Sequence, residues 1–321
     1  MHAFRVTGFD TPPGLERLDV PKPGPGQVLL DIAACGLNFA DMLMAEGRYQ
    51  ETPEPPFTLG MEVCGTVRAH GPGVSAPAIG TRVAVFGGQG GLAEQGVFSA
   101  ALCQPVPDGM PSEQAAGFQV AYGTSHLVLT RRARLQPGET LLVLGAAGGV
   151  GLTAVEIGKA MGATVIAVAR GPEKLQVARA AGADHLIDAG ADLTAEVKAL
   201  GGADVVYDAV GGDAFTAALK ATNREGRIVT IGFASGDVPQ IPANHLLVKN
   251  IDVIGFYWGG YLKFAPEALT DSLAELLDWY AAGRLHPHVS HVLPLEHAGE
   301  ALELIRSRQS TGKVVVVPGP A

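Results

Sequence analysis

The 321-residue chain has only three cysteines, Cys35, Cys64 and Cys103, widely spaced and in no CxxC pair. An odd, scattered set excludes a disulfide framework and fits a reducing cytosol. Long apolar runs are missing too. The opening MHAFRVTGFD has none, so no secretory signal is expected, and no stretch approaches the roughly 20 apolar residues that span a bilayer. Positive charge is in deficit, with 23 Lys and Arg against 32 Asp and Glu and a net charge of −9. That balance argues against nucleic acid or an anionic membrane as the main partner. The one basic cluster, Arg131, Arg132 and Arg134, ends a predicted helix, where cations complement the dipole. Internal repeats and low-complexity tracts are absent. What remains is 47% hydrophobic and 17% charged, the balance of a well-packed globular enzyme. Its length exceeds what one core usually serves, so two domains are expected.

Two patterns divide the chain near residue 120. Before it, short β-like runs such as 27–33, 62–67 and 81–86 are separated by PKPGPG (21–26) and HGPGV (70–74). This predicts a mostly β domain with a short helix near 38–46. After it, strand candidates at 140–144, 164–169, 185–188, 204–209, 227–232 and 251–255 alternate with helical ones at 149–161, 172–181, 192–199, 212–222 and 243–249. Strands joined by helical crossovers predict an α/β fold with a doubly wound parallel sheet of six strands. Amphipathic helices follow at 266–282 and 298–307, before a last strand in 312–318.

The most telling stretch is 140–151, Thr-Leu-Leu-Val-Leu-Gly-Ala-Ala-Gly-Gly-Val-Gly. A buried-strand run, Leu141–Leu144, leads at once into glycines, and a helix with an apolar face follows. Strand, glycine turn and helix bring a helix N-terminus against a pyrophosphate, with no Cβ to block the approach. Gly145, Ala147, Gly148, Gly149, Val150 and Gly151 are the cofactor-binding candidates here. An ordinary strand-to-helix turn is the plainer alternative.

Other motifs surround this loop: Gly36-Leu-Asn-Phe-Ala-Asp41, Pro56-Phe-Thr-Leu-Gly-Met-Glu-Val-Cys-Gly65, Ala115-Ala-Gly-Phe-Gln-Val-Ala-Tyr-Gly-Thr124, Tyr207-Asp-Ala-Val-Gly-Gly212, Gly226-Arg-Ile-Val-Thr-Ile-Gly232 and Gly312-Lys-Val-Val-Val. In this order and spacing, the chain resembles the medium-chain dehydrogenase/reductase superfamily over essentially its full length. Within it, the chain is similar to the zinc-free NADPH:quinone oxidoreductases, the zeta-crystallin-like family. The resemblance implies a GroES-like β-barrel catalytic domain from 1–120 and 256–321, and a Rossmann NADP(H)-binding domain from 121–255. It also implies an active site in the cleft between them, and a homodimer.

Zinc-dependent relatives carry a cysteine and a histidine at two of these motifs, where this chain has Asn38 and Met61. Amide and thioether are poor zinc ligands beside thiolate and imidazole, so no metal is expected. His286, His288 and His291 form a rival ligand cluster, or else incidental surface residues. NADPH is the expected cofactor, because the second strand of the parallel sheet ends in Arg170-Gly-Pro-Glu-Lys174. Arg170 can bind a 2′-phosphate in a fork and Lys174 can add charge; a solvated turn is the alternative. Glu173 suits the first turn of the following helix.

Without zinc to polarise a carbonyl, the acceptor must already be electrophilic, which points to a quinone or an α,β-unsaturated carbonyl. By resemblance, Asn38, Thr124, Phe256 and Tyr257 lie near the nicotinamide. Asn38 either donates a hydrogen bond to the acceptor or the cofactor ribose, or caps a helix. Tyr49 either faces substrate or packs under Pro53-Glu-Pro-Pro56. Gly232, Phe233 and Ala234 follow the fifth strand, along the cofactor. Lys313 either reaches a cofactor phosphate or forms a surface pair. The segment Gly255-Phe-Tyr-Trp-Gly-Gly260 is a pocket wall, a buried edge, or both. A 2-enoyl thioester reductase is the enzymatic alternative, and an NADPH-binding structural or RNA-binding crystallin-like protein the alternative of another class.

Overall fold

The computed structural model describes residues 1–319. They fall into two compact units, one made of 1–120 with the chain from Pro287 onward, the other of 121–286.

The first unit begins with β1 (His2–Val6), β2 (Gly14–Arg17), β3 (Gln27–Leu37), α1 (Phe39–Ala45), β4 (Phe57–Thr58), β5 (Glu62–His70), β6 (Arg82–Phe86), β7 (Gln95–Ser99), β8 (Gln104–Pro105) and α2 (Ser112–Ala116). The strand β3 organises it. One side of β3 pairs antiparallel with β5, in a register that sets Gly36 opposite Glu62. Its other side is shared: Gln27–Asp31 pairs with β7, while Cys35–Leu37 pairs with a strand from the far end of the chain. Val28, Leu30, Ala34 and Leu37 are buried, so the strand serves as core as well as scaffold.

The second unit holds α3 (Gln119–Leu127), β9 (Thr140–Leu144), α4 (Gly149–Ala160), β10 (Thr164–Ala169), α5 (Pro172–Ala180), β11 (His185–Asp188), α6 (Leu193–Ala199), β12 (Ala203–Asp208), α7 (Gly212–Ala221), β13 (Thr222–Thr230), α8 (Ala243–Lys249), β14 (Asp252–Gly255), α9 (Tyr261–Phe264) and α10 (Pro266–Ala281). The six strands run in the order β11-β10-β9-β12-β13-β14, and every pair is parallel. This is the doubly wound sheet, with the strand order reversing between β9 and β12. The near-continuous apolar runs of β9 and β10 are buried, as strands covered on both faces require. Leu142, Leu144, Ile166, Val206, Phe215 and Ile228 belong to a core cluster between sheet and helices. Each strand and helix expected between 140 and 255 is present. β13 starts earlier than expected, because Thr222 pairs with Ala203 ahead of an irregularity in the register.

The first unit closes with β15 (Val289–Pro294), α11 (Ala298–Arg306) and β16 (Lys313–Val317). The return was expected at residue 256 but comes at 287. The reason is α10, which stays with the parallel-sheet unit: Ser272 Oγ lies 2.8 Å from His126 Nδ1 of α3, and the His126 ring meets the edge of Trp279 at 5.2 Å. β16 then pairs antiparallel with β3, Val314 opposite Leu37.

Candidate active site

Two groups of residues hold the chemistry, one in each unit. In the parallel-sheet unit, β9 ends in Gly145, whose φ of +71° is in the left-handed region. Gly148 then caps α4 with φ −79° and ψ 173°, and its N–H bonds back to Gly145 O at 3.0 Å. The two glycines serve different ends. A Cβ on Gly151 would stand 2.1 Å from Gly145 O, so the turn itself excludes a side chain there. A Cβ on Gly148 would meet nothing closer than 3.4 Å, and the residue is exposed. The space above Gly148 is open, and the first-turn N–H groups of α4 (Gly149, Val150, Gly151) have no acceptor inside the helix. That is the cradle a diphosphate needs. Ala147 is buried beneath it.

At the end of β10, Arg170 is exposed. Gly171 (φ +82°) starts α5, with Pro172 in its first turn and Glu173 exposed beside it. Lys174 is half-buried in the same turn. The neighbouring strand ends in Asp188, opposite Ala169. Both oxygens of Asp188 are engaged, accepting from Gly190 N and Gly171 N at 2.8 Å each. Those two N–H groups hold its carboxyl below the usual range, and Arg170 adds to the effect. The acid therefore shapes the turn, and the basic residue is the one that projects.

After β13, Ala234 N and Ser235 N donate to Ala209 O (3.2 Å) and Val210 O (2.9 Å). These bonds tie the Gly232–Ala234 segment to the turn after β12; Phe233 is 38% exposed. Asp208 anchors that turn, with Oδ1 accepting from Val210 N and Gly211 N. Phe256 and Tyr257 are half-buried, and Phe256 stacks at a tilt on Tyr261, 5.6 Å between centroids. Thr124 lies buried in α3.

In the other unit, strand register assembles a polar cluster from three distant segments. Asn38 follows β3, Glu62 opens β5 and Lys313 opens β16. Since Gly36 faces Glu62 and Leu37 faces Val314, the three side chains converge. Lys313 Nζ donates to Leu37 O (2.7 Å), Asn38 Oδ1 (2.7 Å) and Glu62 Oε1 (2.8 Å). Asn38 Nδ2 donates to Glu62 Oε1 at 2.9 Å, and Val120 N to Glu62 Oε2 at 2.9 Å. Asp41 accepts from Asn38 N at 2.8 Å and from Gly60 N at 3.2 Å. Asn38 is at the cap position of α1 and Asp41 at its third helical position, the two residues of a capping box. Burial raises the Asp41 carboxyl to about 7, against the pull of the Asn38 N–H and the Lys313 charge; Glu62 pushes it the same way as burial.

One sequence expectation changes. Lys313 was offered either a cofactor phosphate or a surface pair. It is 6% exposed, and its three donors are all spent inside its own unit, so it is neither. The histidine cluster does not assemble: His286 lies against Glu156, His288 against Thr311 and His291 against Ser290. Among the described residues no group of three metal-ligating side chains forms. Tyr49 is half-buried, its carbonyl held by Thr52 N and Oγ1 at 3.1 and 2.7 Å. Glu62 was missed as a site residue. Its only signal was an acid opening a strand run that is otherwise apolar or small.

A doubly wound parallel sheet with an open glycine cradle, joined in sequence to a β-rich unit, defines a dinucleotide-type enzyme of two units. Comparison with known proteins narrows this. Residues 24–108 match the alcohol dehydrogenase GroES-like domain, and 149–280 match the zinc-binding dehydrogenase family. The quinone oxidoreductase-like protein 2 homolog of Nematostella vectensis is 41% identical over 91% of this chain and 82% of its own. The quinone oxidoreductase of Thermus thermophilus, solved also with NADPH, superposes with a TM-score of 0.88 at 36% identity over 99% of this chain and 100% of its own. That of Escherichia coli, in complex with NADPH, gives 0.92 at 29% over 99% and 100%. The chain belongs to the medium-chain dehydrogenase/reductase superfamily, as an oxidoreductase of its quinone oxidoreductase-like branch. No helix among the described residues is long and apolar enough to cross a membrane.

Proposed function

We propose that the chain is an NADPH-dependent, zinc-independent reductase of quinones or other α,β-unsaturated carbonyl compounds. The observation that carries this is the Lys313 ammonium lodged between Asn38 and Glu62. Where the zinc-dependent branch uses a metal, this chain holds a fixed cation of its own. Asn38 Oδ1 and Glu62 Oε1 are committed to that cation, and Met61 is a buried thioether, so a divalent ion meets like charge and poor ligands. The zinc-binding family match at 149–280 includes none of these positions.

NADPH is supported by the open cradle at Gly148, by the projecting Arg170, and by relatives crystallised with that cofactor. The first turn of α4 would hold the diphosphate and Arg170 the 2′-phosphate, a charge-assisted fork that NADH lacks. Bound NADPH supplies a hydride from its nicotinamide ring. The chain supplies hydrogen bonding to the acceptor. Asn38 uses one Nδ2–H on Glu62 and keeps the other, which donates to the acceptor oxygen as negative charge grows there. One amide N–H supports a conjugated oxyanion, whose charge is spread, far better than a localised alkoxide. The proton that completes reduction comes from solvent.

A homodimer is part of the same reading. β14 leaves one edge of the parallel sheet unpaired among the described residues, and Val238, Leu247 and Val248 nearby in sequence are more than 60% exposed. A sedimentation mass checks it, and a monomer contradicts it. Buried, unpaired cysteines support a cytoplasmic setting; fractionation of source cells, with the protein found outside the cytosol, contradicts it. The principal test is metal content against turnover. Purified protein is expected to hold no stoichiometric zinc and to keep its activity in chelator. About one tightly held zinc per chain, required for turnover, overturns the proposal.

A further inference from the structure

We propose that Lys313 is the positioning residue of the site: it locks the Asn38 carboxamide in the one orientation that turns a free N–H toward the acceptor. This rests on the reading of Asn38 as the acceptor-binding group. Hydrogen-bond parity fixes that orientation. An ammonium only donates and a carboxylate only accepts. With Lys313 Nζ 2.7 Å from one end of the amide and Glu62 Oε1 2.9 Å from the other, Oδ1 must face the lysine and Nδ2 the glutamate. The flipped amide would set N–H against ammonium and C=O against carboxylate, two repulsions in a buried place.

The lysine is held as firmly as the amide it holds. Its ammonium has no donor left over. Its stem runs along Gly117, where a Cβ would come within 3.1–3.2 Å of the lysine Cβ, Cγ and Cε. Glu62 is fully buried and fixed on its second oxygen by Val120 N. A buried ion pair is seldom kept for stability, because apolar residues of equal volume often serve as well. Here the pair does what apolar residues cannot: it gives a symmetric-looking amide a direction. The lysine itself touches neither acceptor nor cofactor and acts only through Asn38.

A double-mutant cycle tests this, with NADPH and naphthoquinone as substrates. Lys313→Met is combined with Glu62→Gln, so that no lone charge stays buried, and the pair is measured with and without Asn38→Ala. Asn38→Ala alone is expected to lower kcat about tenfold or more. The Lys313→Met/Glu62→Gln pair is expected to lower kcat by a similar factor while the NADPH dissociation constant changes less than twofold. In the Asn38→Ala background, the pair is expected to cost nothing further in kcat. Additive losses would mean that the lysine acts elsewhere or only in folding, and would overturn the positioning role while leaving Asn38 its own. An unchanged kcat in Asn38→Ala would instead overturn the reading of Asn38 on which the proposal rests. A measurement on the unaltered protein guards against a pair that fails to fold. The side-chain ¹⁵N–¹H₂ resonances of Asn38, assigned by their loss in Asn38→Ala, should show two separate protons, one of them shifted downfield by the carboxylate and slow to exchange. Two protons at free-amide shifts would overturn the lock.

Discussion

The glycine turn after β9 and the Asn38–Glu62–Lys313 cluster solve opposite problems. The turn works by emptiness: at Gly151 no side chain fits against Gly145 O, and at Gly148 the place of a side chain stands open, where we propose that the diphosphate lies. Everything it needs lies within 145–151. The cluster works by fullness. Its Lys313 stands 251 and 275 positions from the other two members, and nearly every donor and acceptor among the three is paired. A phosphate cradle can be built from backbone alone. An oriented amide needs side chains of opposite charge on either side, and only tertiary register brings them together.

That contrast can be broken at the loop first, where the largest effect is expected. Gly148→Val should abolish NADPH binding and leave the fold intact, since its backbone is extended and its Cβ has room. Fluorescence titration and circular dichroism check both halves; a folded variant that binds NADPH normally removes the cradle from the picture. Arg170→Glu is the intermediate case. It should weaken NADPH by about 1.5–3 kcal/mol, the range for charged hydrogen bonds, and change NADH far less. Equal dissociation constants for the two cofactors in the unaltered protein would refute the 2′-phosphate role.

The smallest effect is expected beneath the cluster. Asp41 titrates near 7 in the folded protein, raised mainly by burial, with Glu62 and Lys313 as the charges that face it. A raised carboxyl binds its proton more tightly folded than unfolded. Its contribution to stability is therefore full below about pH 4, the unfolded value, and is lost as pH rises toward 7. Asp41→Asn cannot titrate. The stability of the unaltered protein relative to Asp41→Asn should fall between pH 4 and 7 in denaturant unfolding. A constant difference across that range contradicts the assignment.

The same contrast explains what could be read in the chain. The parallel sheet was legible almost element by element, since β9 and β10 are buried apolar runs and helices such as α5 and α6 begin at Gly, Pro or Asp signals. The glycine loop was legible for the same local reason. Asn38 was a candidate with two readings that could not be separated, because capping and substrate contact ask for the same residue type. What the structure adds is that Lys313 also claims Oδ1, across 275 positions of sequence, and that is not a local fact. Lys313 was misjudged because a lysine before a last strand reads as solvent-facing; only the pairing of β16 with β3 buries it. The boundary at 256 failed likewise, since the hold of α10 on His126 spans 146 positions of sequence.

On the proposed reading, an oriented amide beside a resident ammonium supports reduction without a metal. Initial rates with NADPH in chelator test it most directly, comparing naphthoquinone with a saturated ketone of similar size. Rapid turnover of the quinone, with turnover of the ketone slower by orders of magnitude, is the result such a site predicts. Comparable or faster reduction of the ketone would contradict it, because a localised oxyanion needs an acid or a metal that this cluster does not provide.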